Sequence, residues 1–408
     1  MPRPGTGART GRTGSTRRQF LLGGAVAGVG AATAIGADLA LNSTTEGPAE
    51  AAGLNGDRTV PFHGTHQAGI GTDAQAHGLF LALDLLDDTG RDDLTRLMRI
   101  LSDDAARLTR GEPALADSEP ELAVAPARLT VTFGFGPRFV ARARGRSPEW
   151  LRALPPFAVD RLLPEFSDGD LLLQIAADDA LTVAHAARML LKDARSFASV
   201  RWSQQGFRRA YGSVRPGTTM RNLFGQVDGT SNPVPGTADF DQIVWSTDGW
   251  LSGGTSMVVR RIGMDLDTWD RLDRGGREQS VGRYLSNGAP LTGTDELDEP
   301  DLEATTAIGF PVIAEFSHLR RARSEDPAER IFRRAYNYDE RPAGGSVSRS
   351  GLIFVSFQAD VDRQFTPIQR RLDQLDLLNE WTVPIGSAVF AVPPGCAEGG
   401  FVGDTLLT

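Results

Sequence analysis

The chain is poor in several of the features from which a function is usually inferred. Of its 408 residues only Cys396 is a cysteine, which excludes an intramolecular disulfide and every motif that needs two cysteines. The formal net charge of -9 argues against nucleic acid as a partner, because binders of the phosphate backbone normally carry a basic excess. The sequence also contains no G-x-S-x-G nucleophile elbow and no phosphate-binding G-x-x-x-x-G-K loop.

The N-terminal residues 1–56 have the composition of a targeting segment. Arg17 and Arg18 lie in STRRQFLL, after a basic polar stretch and before an apolar run from Phe20 to about Ala37. This order is typical of a twin-arginine export signal. A permanent membrane anchor is the alternative, but the run is short and rich in Gly and Ala. We therefore expect the twin-arginine machinery to export the protein to the periplasm, the cell envelope or the medium.

The remaining residues repeat one order of predicted elements. Each half reads β-α-β-β-α-β, the order of a ferredoxin-like unit with an antiparallel sheet. In the first half the elements are strand 76–83, helix 92–108, strand 129–135, strand 170–177, helix 181–195 and strand 199–202. In the second half they are strand 257–264, helix 268–283, strand 308–316, strand 352–359, helix 367–378 and strand 388–392.

The duplication is also visible in the letters, because GDLLLQIAADD at 169–179 resembles GLIFVSFQADVD at 351–362. The prediction is an α+β fold in which two ferredoxin-like halves form a barrel. We place the N-terminal half at residues 57–210, a linker at 211–254 and the C-terminal half at 255–408. The linker is rich in Gly, Ser, Thr, Asn and Pro, and a long aperiodic loop in a compact protein is usually functional or disordered.

One histidine is surrounded by cations in the sequence. His318 follows the predicted strand 308–316 and precedes Arg320, Arg321 and Arg323, and a second basic cluster contains Arg330, Arg333 and Arg334. A neutral imidazole is a common ligand of haem iron, and the two haem carboxylates need cations such as Arg320. The alternative is a structural histidine beside a solvated basic face. The sequence alone leaves both open.

The linker contains FGQVDGTSNP, in which Gly225 and Gly229 flank Asp228. Glycines let the backbone approach a bulky planar ligand and direct the carboxylate between them. The alternative is an ordinary D-G turn. Because a C-x-x-C-H motif is excluded, any haem would be bound non-covalently.

Two other ligand hypotheses are weaker. Cys396 lacks the glycine four residues upstream that the haem-thiolate signature requires, since Val392 stands there. His63 and His66 form H-x-x-H, but no carboxylate or cysteine cluster accompanies them, which disfavours a metal site.

Taken together, these motifs resemble the dye-decolorising peroxidase family, haem peroxidases built from two ferredoxin-like halves. The resemblance extends over essentially the whole chain after the leader, and the twin-arginine signal is similar to that of the exported branch. The matching segments are FHGTHQAGI at 62–70, LTVTFGFGP at 129–137, LPPF at 154–157, GDLLLQIAADD, FGQVDGTSNP, IFRRAYNYD at 331–339 and GLIFVSFQAD.

The resemblance implies a role for each matching residue. His318 corresponds to the axial ligand of one non-covalent haem b per chain, and Asp228 to the acidic residue above the haem. Arg333 corresponds to the distal arginine and is preferred to Arg334 because the family arginine follows an apolar pair. A carboxylate behind the axial histidine is also expected, and Glu380 is the candidate. Gly225, Gly229 and Arg320 would contact the haem.

The implied reaction reduces hydrogen peroxide while oxidising aromatic compounds and dyes, with an acidic optimum if Asp228 moves the proton. A haem-binding protein linked to iron uptake, similar to a deferrochelatase, is the alternative, and chlorite decomposition is disfavoured by Asp228. Bulky reductants would need aromatic residues that relay electrons, for which Tyr336, Tyr338 and Trp381 are candidates. The oligomeric state stays open, a homo-oligomer included.

Overall fold

The computed structural model describes residues 53–342 and 344–408. The predicted export signal, with Arg17 and Arg18, lies outside the described residues. Within the described ranges no helix combines the length and the apolar character needed to cross a membrane.

The strands form a closed antiparallel barrel. Eight of them follow one another in the order β5-β9-β2-β3-β1-β4-β7-β8, and β8 pairs with β5 to close the circle. The short β6 pairs with β8 in the same register as β7, so β6 and β7 form one interrupted strand. The strands are β1 (His77–Leu85), β2 (Thr130–Phe135), β3 (Leu171–Ala177), β4 (Ala198–Phe207), β5 (Thr255–Met264), β6 (Phe332–Arg333), β7 (Tyr336–Glu340), β8 (Arg349–Gln358) and β9 (Thr382–Val392).

The strand order confirms the predicted duplication. The first half is arranged β2-β3-β1-β4 and the second β7-β8-β5-β9, which is the same ferredoxin-like order in each. The halves join where Phe135 pairs with Ala391 and where Phe207 pairs with Asn337. The predicted α+β class is therefore confirmed, and both halves share one barrel. The linker boundaries stay predictions, although Phe207 ends the strands of the first half and Thr255 begins those of the second.

Strand alternation sorts the apolar residues into two cores. In β1, Phe80 and Ala82 point into the barrel, whereas Leu79 and Leu81 pack against the outer helices. The helices are α1 (Arg91–Thr109), α2 (Pro137–Arg142), α3 (Ala180–Ala194), α4 (Ala238–Val244), α5 (Leu266–Trp269), α6 (Arg274–Val281), α7 (His318–Ala322), α8 (Thr366–Leu375) and α9 (Asp404–Leu407). The position of α4 shows that the predicted linker contains a short helix.

The structure contradicts two predicted elements of the second half. Residues 308–316 are not a strand: Gly309 has a φ of 86°, Pro311 has no N–H to donate, and Ile308 at the loop tip is 81% exposed. The strand of this half is instead the β6–β7 pair. The predicted helix 268–283 is divided into α5 and α6, because Asp273 accepts from the N–H of Gly276 and begins a new helix.

Candidate functional site

His318 begins α7 and is held by a carboxylate. Its Nδ1 lies 2.6 Å from Oδ2 of Asp376, and the other oxygen of Asp376 accepts from the N–H of Leu378 (3.0 Å). The N–H of Leu377 donates to the carbonyl of Phe316 (2.9 Å), which joins the two segments. A carboxylate that is itself fixed thus orients the imidazole, the arrangement common for histidines that bind a metal through their other nitrogen.

The expectation that Glu380 is this carboxylate is wrong. Glu380 is exposed, whereas Asp376 is buried and makes the hydrogen bond to His318. The physical reason is the 3-10 turn Leu377–Glu380, which begins after Asp376 and turns the chain. Asp376 therefore faces α7, and Glu380 faces solvent.

Hydrogen bonds fix the conformation of the loop that carries Asp228 in the structure. The N–H of Asp228 donates to the carbonyl of Met220 (2.8 Å), and Oδ1 of Asn222 accepts from the N–H of Phe224 (3.1 Å). Gly225 and Gly229 have φ angles of 80° and 127°, a region that disfavours side chains. The backbone conformation on either side of Asp228 therefore favours glycine at both positions.

Arg333 and Asp228 form an ion pair. Nη1 of Arg333 lies 2.8 Å from Oδ1 of Asp228, and the Asp228 side chain is only 10% exposed. Arg334 points the opposite way, because successive side chains of a strand alternate, and it donates to the carbonyls of Thr72 and Asp73. Of the two arginines, only Arg333 contacts the loop with Asp228.

These charged groups share one neighbourhood with His318. Burial lowers the pKa of His318, but the charge and the hydrogen bond of Asp376 outweigh it, so the pKa lies above its ordinary value of 6.5. The charge of Arg333 also lowers this pKa and that of Asp228 raises it. The arginine–aspartate pair therefore lies near enough to His318 for both of its charges to act on the imidazole.

The donor set fits a haem. Only Nδ1 of His318 is engaged by the described residues, which leaves Nε2 for a metal. Nη2 of Arg320 donates to the carbonyl of Leu302, but its buried Nε has no partner in the described part of the chain and is a spare donor for a haem carboxylate. Arg321 donates to the carbonyl of Arg371 (3.1 Å) and Arg323 pairs with Glu299, so these two arginines are engaged elsewhere.

The aromatic candidates differ in position. Tyr336 and Tyr338 are buried. Trp381 is partly exposed and lies 5.1 Å, edge to face, from the ring of Trp269, which in turn lies 4.4 Å from Phe224 in the Asp228 loop. A line of aromatic rings thus leads from Trp381 to that loop.

Cys396 and His66, which were also considered as ligands, make contacts typical of structural residues. Burial raises the pKa of the Cys396 thiol to about 11 and keeps it neutral. His66 stacks on Trp245 at 3.7 Å, and its Nδ1 lies 2.6 Å from the carbonyl of Gly253. Residues 53–342 and 344–408 contain no group of three potential metal ligands.

Two residues of the site were not found from the sequence. Asp376 is far from His318 in the chain, and nothing in LDQLDLLNE separates it from Asp373 or Glu380. Asn232 is not among the predicted site residues, yet its side chain bonds both backbone groups of Arg333. Its position four residues after Asp228, in the same loop, was the available signal.

An imidazole fixed by a carboxylate, near an arginine–aspartate pair in a duplicated ferredoxin-like barrel, defines a class: haem enzymes that act on peroxide. Comparison with known proteins agrees. The family model described as Dyp-type peroxidase, N-terminal, matches residues 67–208, and Dyp-type peroxidase, C-terminal, matches residues 219–397. The chain therefore belongs to the Dyp-type peroxidase family.

Individual relatives support the same assignment. A dye-decolorizing peroxidase of Thermobifida fusca (strain YX) is 37% identical over 98% of this chain and 98% of its own. A deferrochelatase of Escherichia coli (strain K12) is 34% identical over 85% of this chain and 87% of its own. A crystal structure of a DyP-type peroxidase from Cellulomonas bogoriensis has 56% identity and a TM-score of 0.84, and covers 87% of this chain and 99% of its own.

Ferric DtpA from Streptomyces lividans has 42% identity and a TM-score of 0.83, and covers 88% of this chain and 100% of its own. The protein is accordingly a haem-dependent peroxidase that reduces hydrogen peroxide while oxidising aromatic compounds and dyes. The main functional prediction from the sequence is confirmed.

Proposed function

We propose that the chain binds one non-covalent haem through Nε2 of His318 and that Asp228 and Arg333 act together on hydrogen peroxide. The observation that carries this assignment is the 2.8 Å ion pair between Arg333 and Asp228. The haem, when bound, supplies the iron that exchanges electrons with peroxide and with the reductant. Asp376 keeps the proton of His318 on Nδ1, which leaves Nε2 as the ligand atom.

The two residues of the pair have different tasks. Splitting the O–O bond of hydrogen peroxide requires a proton to move from one oxygen to the other, and the Asp228 carboxylate accepts and returns it. The departing oxygen gains negative charge, which the Arg333 guanidinium stabilises by charge and hydrogen bonds. Their mutual hydrogen bond holds both groups in place before peroxide arrives.

Substitution of the pair tests these tasks. We expect Arg333→Leu to slow the reaction with hydrogen peroxide by a factor on the order of a hundred, the usual cost of removing one charge-stabilising donor. Asp228→Asn keeps the shape of the loop but removes the proton acceptor, so it should also slow the reaction with hydrogen peroxide. Stopped-flow absorbance after mixing with hydrogen peroxide measures the rate of each variant beside that of the parent.

Arg330→Leu is the matched control. Arg330 lies three residues away and is also paired with an aspartate, Asp239, but on the exposed surface. A parent-like rate in Arg333→Leu would show that Arg333 is misassigned. A parent-like rate in Asp228→Asn would show that another group carries the proton.

Iron release is the competing activity, because one relative is a deferrochelatase. The ion pair favours peroxide chemistry, since release of iron needs no charge stabilisation of a departing oxygen. Catalytic turnover with peroxide, compared with stoichiometric release of iron, separates the two.

We further propose that the twin-arginine signal exports the folded protein, for which Arg17 and Arg18 before the apolar run are the support.

A further inference from the structure

β6 has a strand partner on one side only, so the backbone groups of Arg333 on the other side have no strand to pair with. On one side β6 pairs with β8, and the N–H of Arg334 donates to the carbonyl of Val355 (2.9 Å). Because the backbone groups of successive residues in a strand point to opposite sides, the N–H and the C=O of Arg333 face away from β8. Another group has to satisfy them.

Asn232 takes the place of the missing strand. Its Nδ2 donates to the carbonyl of Arg333 (2.7 Å), and its Oδ1 accepts from the N–H of Arg333 (2.9 Å). A side-chain amide has the same donor and acceptor spacing as a backbone residue, so it pairs with both groups at once. Aspartate could not, because it has no donor.

The loop therefore holds Arg333 in two ways. Asp228 binds the guanidinium, and Asn232, four residues later, binds the backbone of the same residue. The distance between carboxylate and guanidinium is thus set by the short segment from Asp228 to Asn232. Displacement of a charged group by about 1 Å can slow a reaction a hundredfold.

We propose that Asn232 is a positioning residue for the peroxide reaction: its amide fixes the backbone of Arg333 so that the guanidinium meets peroxide beside Asp228. This inference rests on the proposed role of Arg333. It assigns Asn232 no contact with peroxide or haem.

The test is a double-mutant cycle on the haem-loaded protein. Asn232→Ala should slow the second-order reaction with hydrogen peroxide at least about tenfold. The same substitution in an Arg333→Leu background should change the rate less than about twofold, because the residue that Asn232 positions is gone. Equal slowing in both backgrounds would mean a merely structural role and would overturn the proposal.

Two further variants keep the test decisive. Asn232→Asp retains the shape of the side chain but sets an oxygen against the Arg333 carbonyl, so it should also slow the reaction. It replaces Asn232→Ala in the test if that variant fails to fold. Asn287→Ala is the matched control, since Asn287 likewise bonds a carbonyl and an N–H, of Thr294 and Ala289. It should react at the parent rate.

The proposed roles of Arg333 and Asn232 can fail separately. If Arg333→Leu reacts at the parent rate, the proposed role of Arg333 fails. If Arg333→Leu is slow but Asn232→Ala and Asn232→Asp are fast, only the positioning role of Asn232 fails.

Discussion

A carboxyl pair between α1 and α3 should make the stability of the protein depend on pH. Asp104 of α1 is 1% exposed, and its Oδ1 accepts from the N–H of Leu115 (2.8 Å). Burial, followed by the hydrogen bond and charge of Asp104, raises the pKa of Asp193 on α3 to about 7. Oδ2 of Asp193 is buried and has no donor among the described residues. A hydrogen bond between the two carboxyl groups therefore requires that one of them is protonated.

Because the pKa of Asp193 is raised in the folded protein, its protonation stabilises the folded state at low pH. The folded protein keeps the Asp193 proton up to about pH 7, whereas the unfolded chain releases it near the ordinary value of 3.8. The contribution to the free energy of unfolding is therefore complete below about pH 4 and is lost as the pH rises to 7. About three pH units at about 1.36 kcal/mol each set a ceiling of about 4 kcal/mol.

Asp193→Asn tests this account, because the amide supplies permanently the donor that the carboxyl group supplies only when protonated. We expect the variant to match the parent near pH 4 and to exceed it at pH 8 by about 2 to 4 kcal/mol, which raises the melting temperature by several degrees. Thermal unfolding of the haem-loaded protein at each pH is the assay.

Asp103→Asn is the control, since Asp103 is the exposed neighbour of Asp104 and its loss changes the net charge equally. A parent protein as stable at pH 8 as the Asp193→Asn variant would refute the shared proton.

The remaining predictions concern the cofactor and export. His318→Ala should lose most of its haem, and Asp376→Asn should weaken haem binding by about tenfold or more, because an outer partner of a metal ligand typically contributes that much. Haem absorbance per protein, before and after incubation with a competing haem acceptor, measures both, and full retention in His318→Ala would contradict the axial assignment. Arg17→Lys with Arg18→Lys should keep the precursor in the cytoplasm, as cell fractionation would show; normal export would contradict the twin-arginine route.

Much of the fold is encoded locally. The alternation of apolar residues in β1 and the helical spacing in α1 are properties of short segments, and the β-α-β-β-α-β order followed from them. The prediction failed at residues 308–316, where an apolar composition resembled a strand. Gly309 and Pro311 prevent regular pairing there, so the apolar tip is exposed. Composition alone did not reveal that β6 and β7, and not residues 308–316, pair with β8.

The family motifs are readable in the sequence, and the predictions of His318, Asp228 and Arg333 as site residues follow from them. The groups that these residues contact follow from the tertiary structure alone. Asp376 and not Glu380 faces His318, because the chain turns directly after Asp376. Asn232 bonds Arg333 across 101 residues of sequence, because barrel closure brings a linker loop to a strand edge. Such contacts join segments far apart in the chain, and no local pattern of residues encodes them.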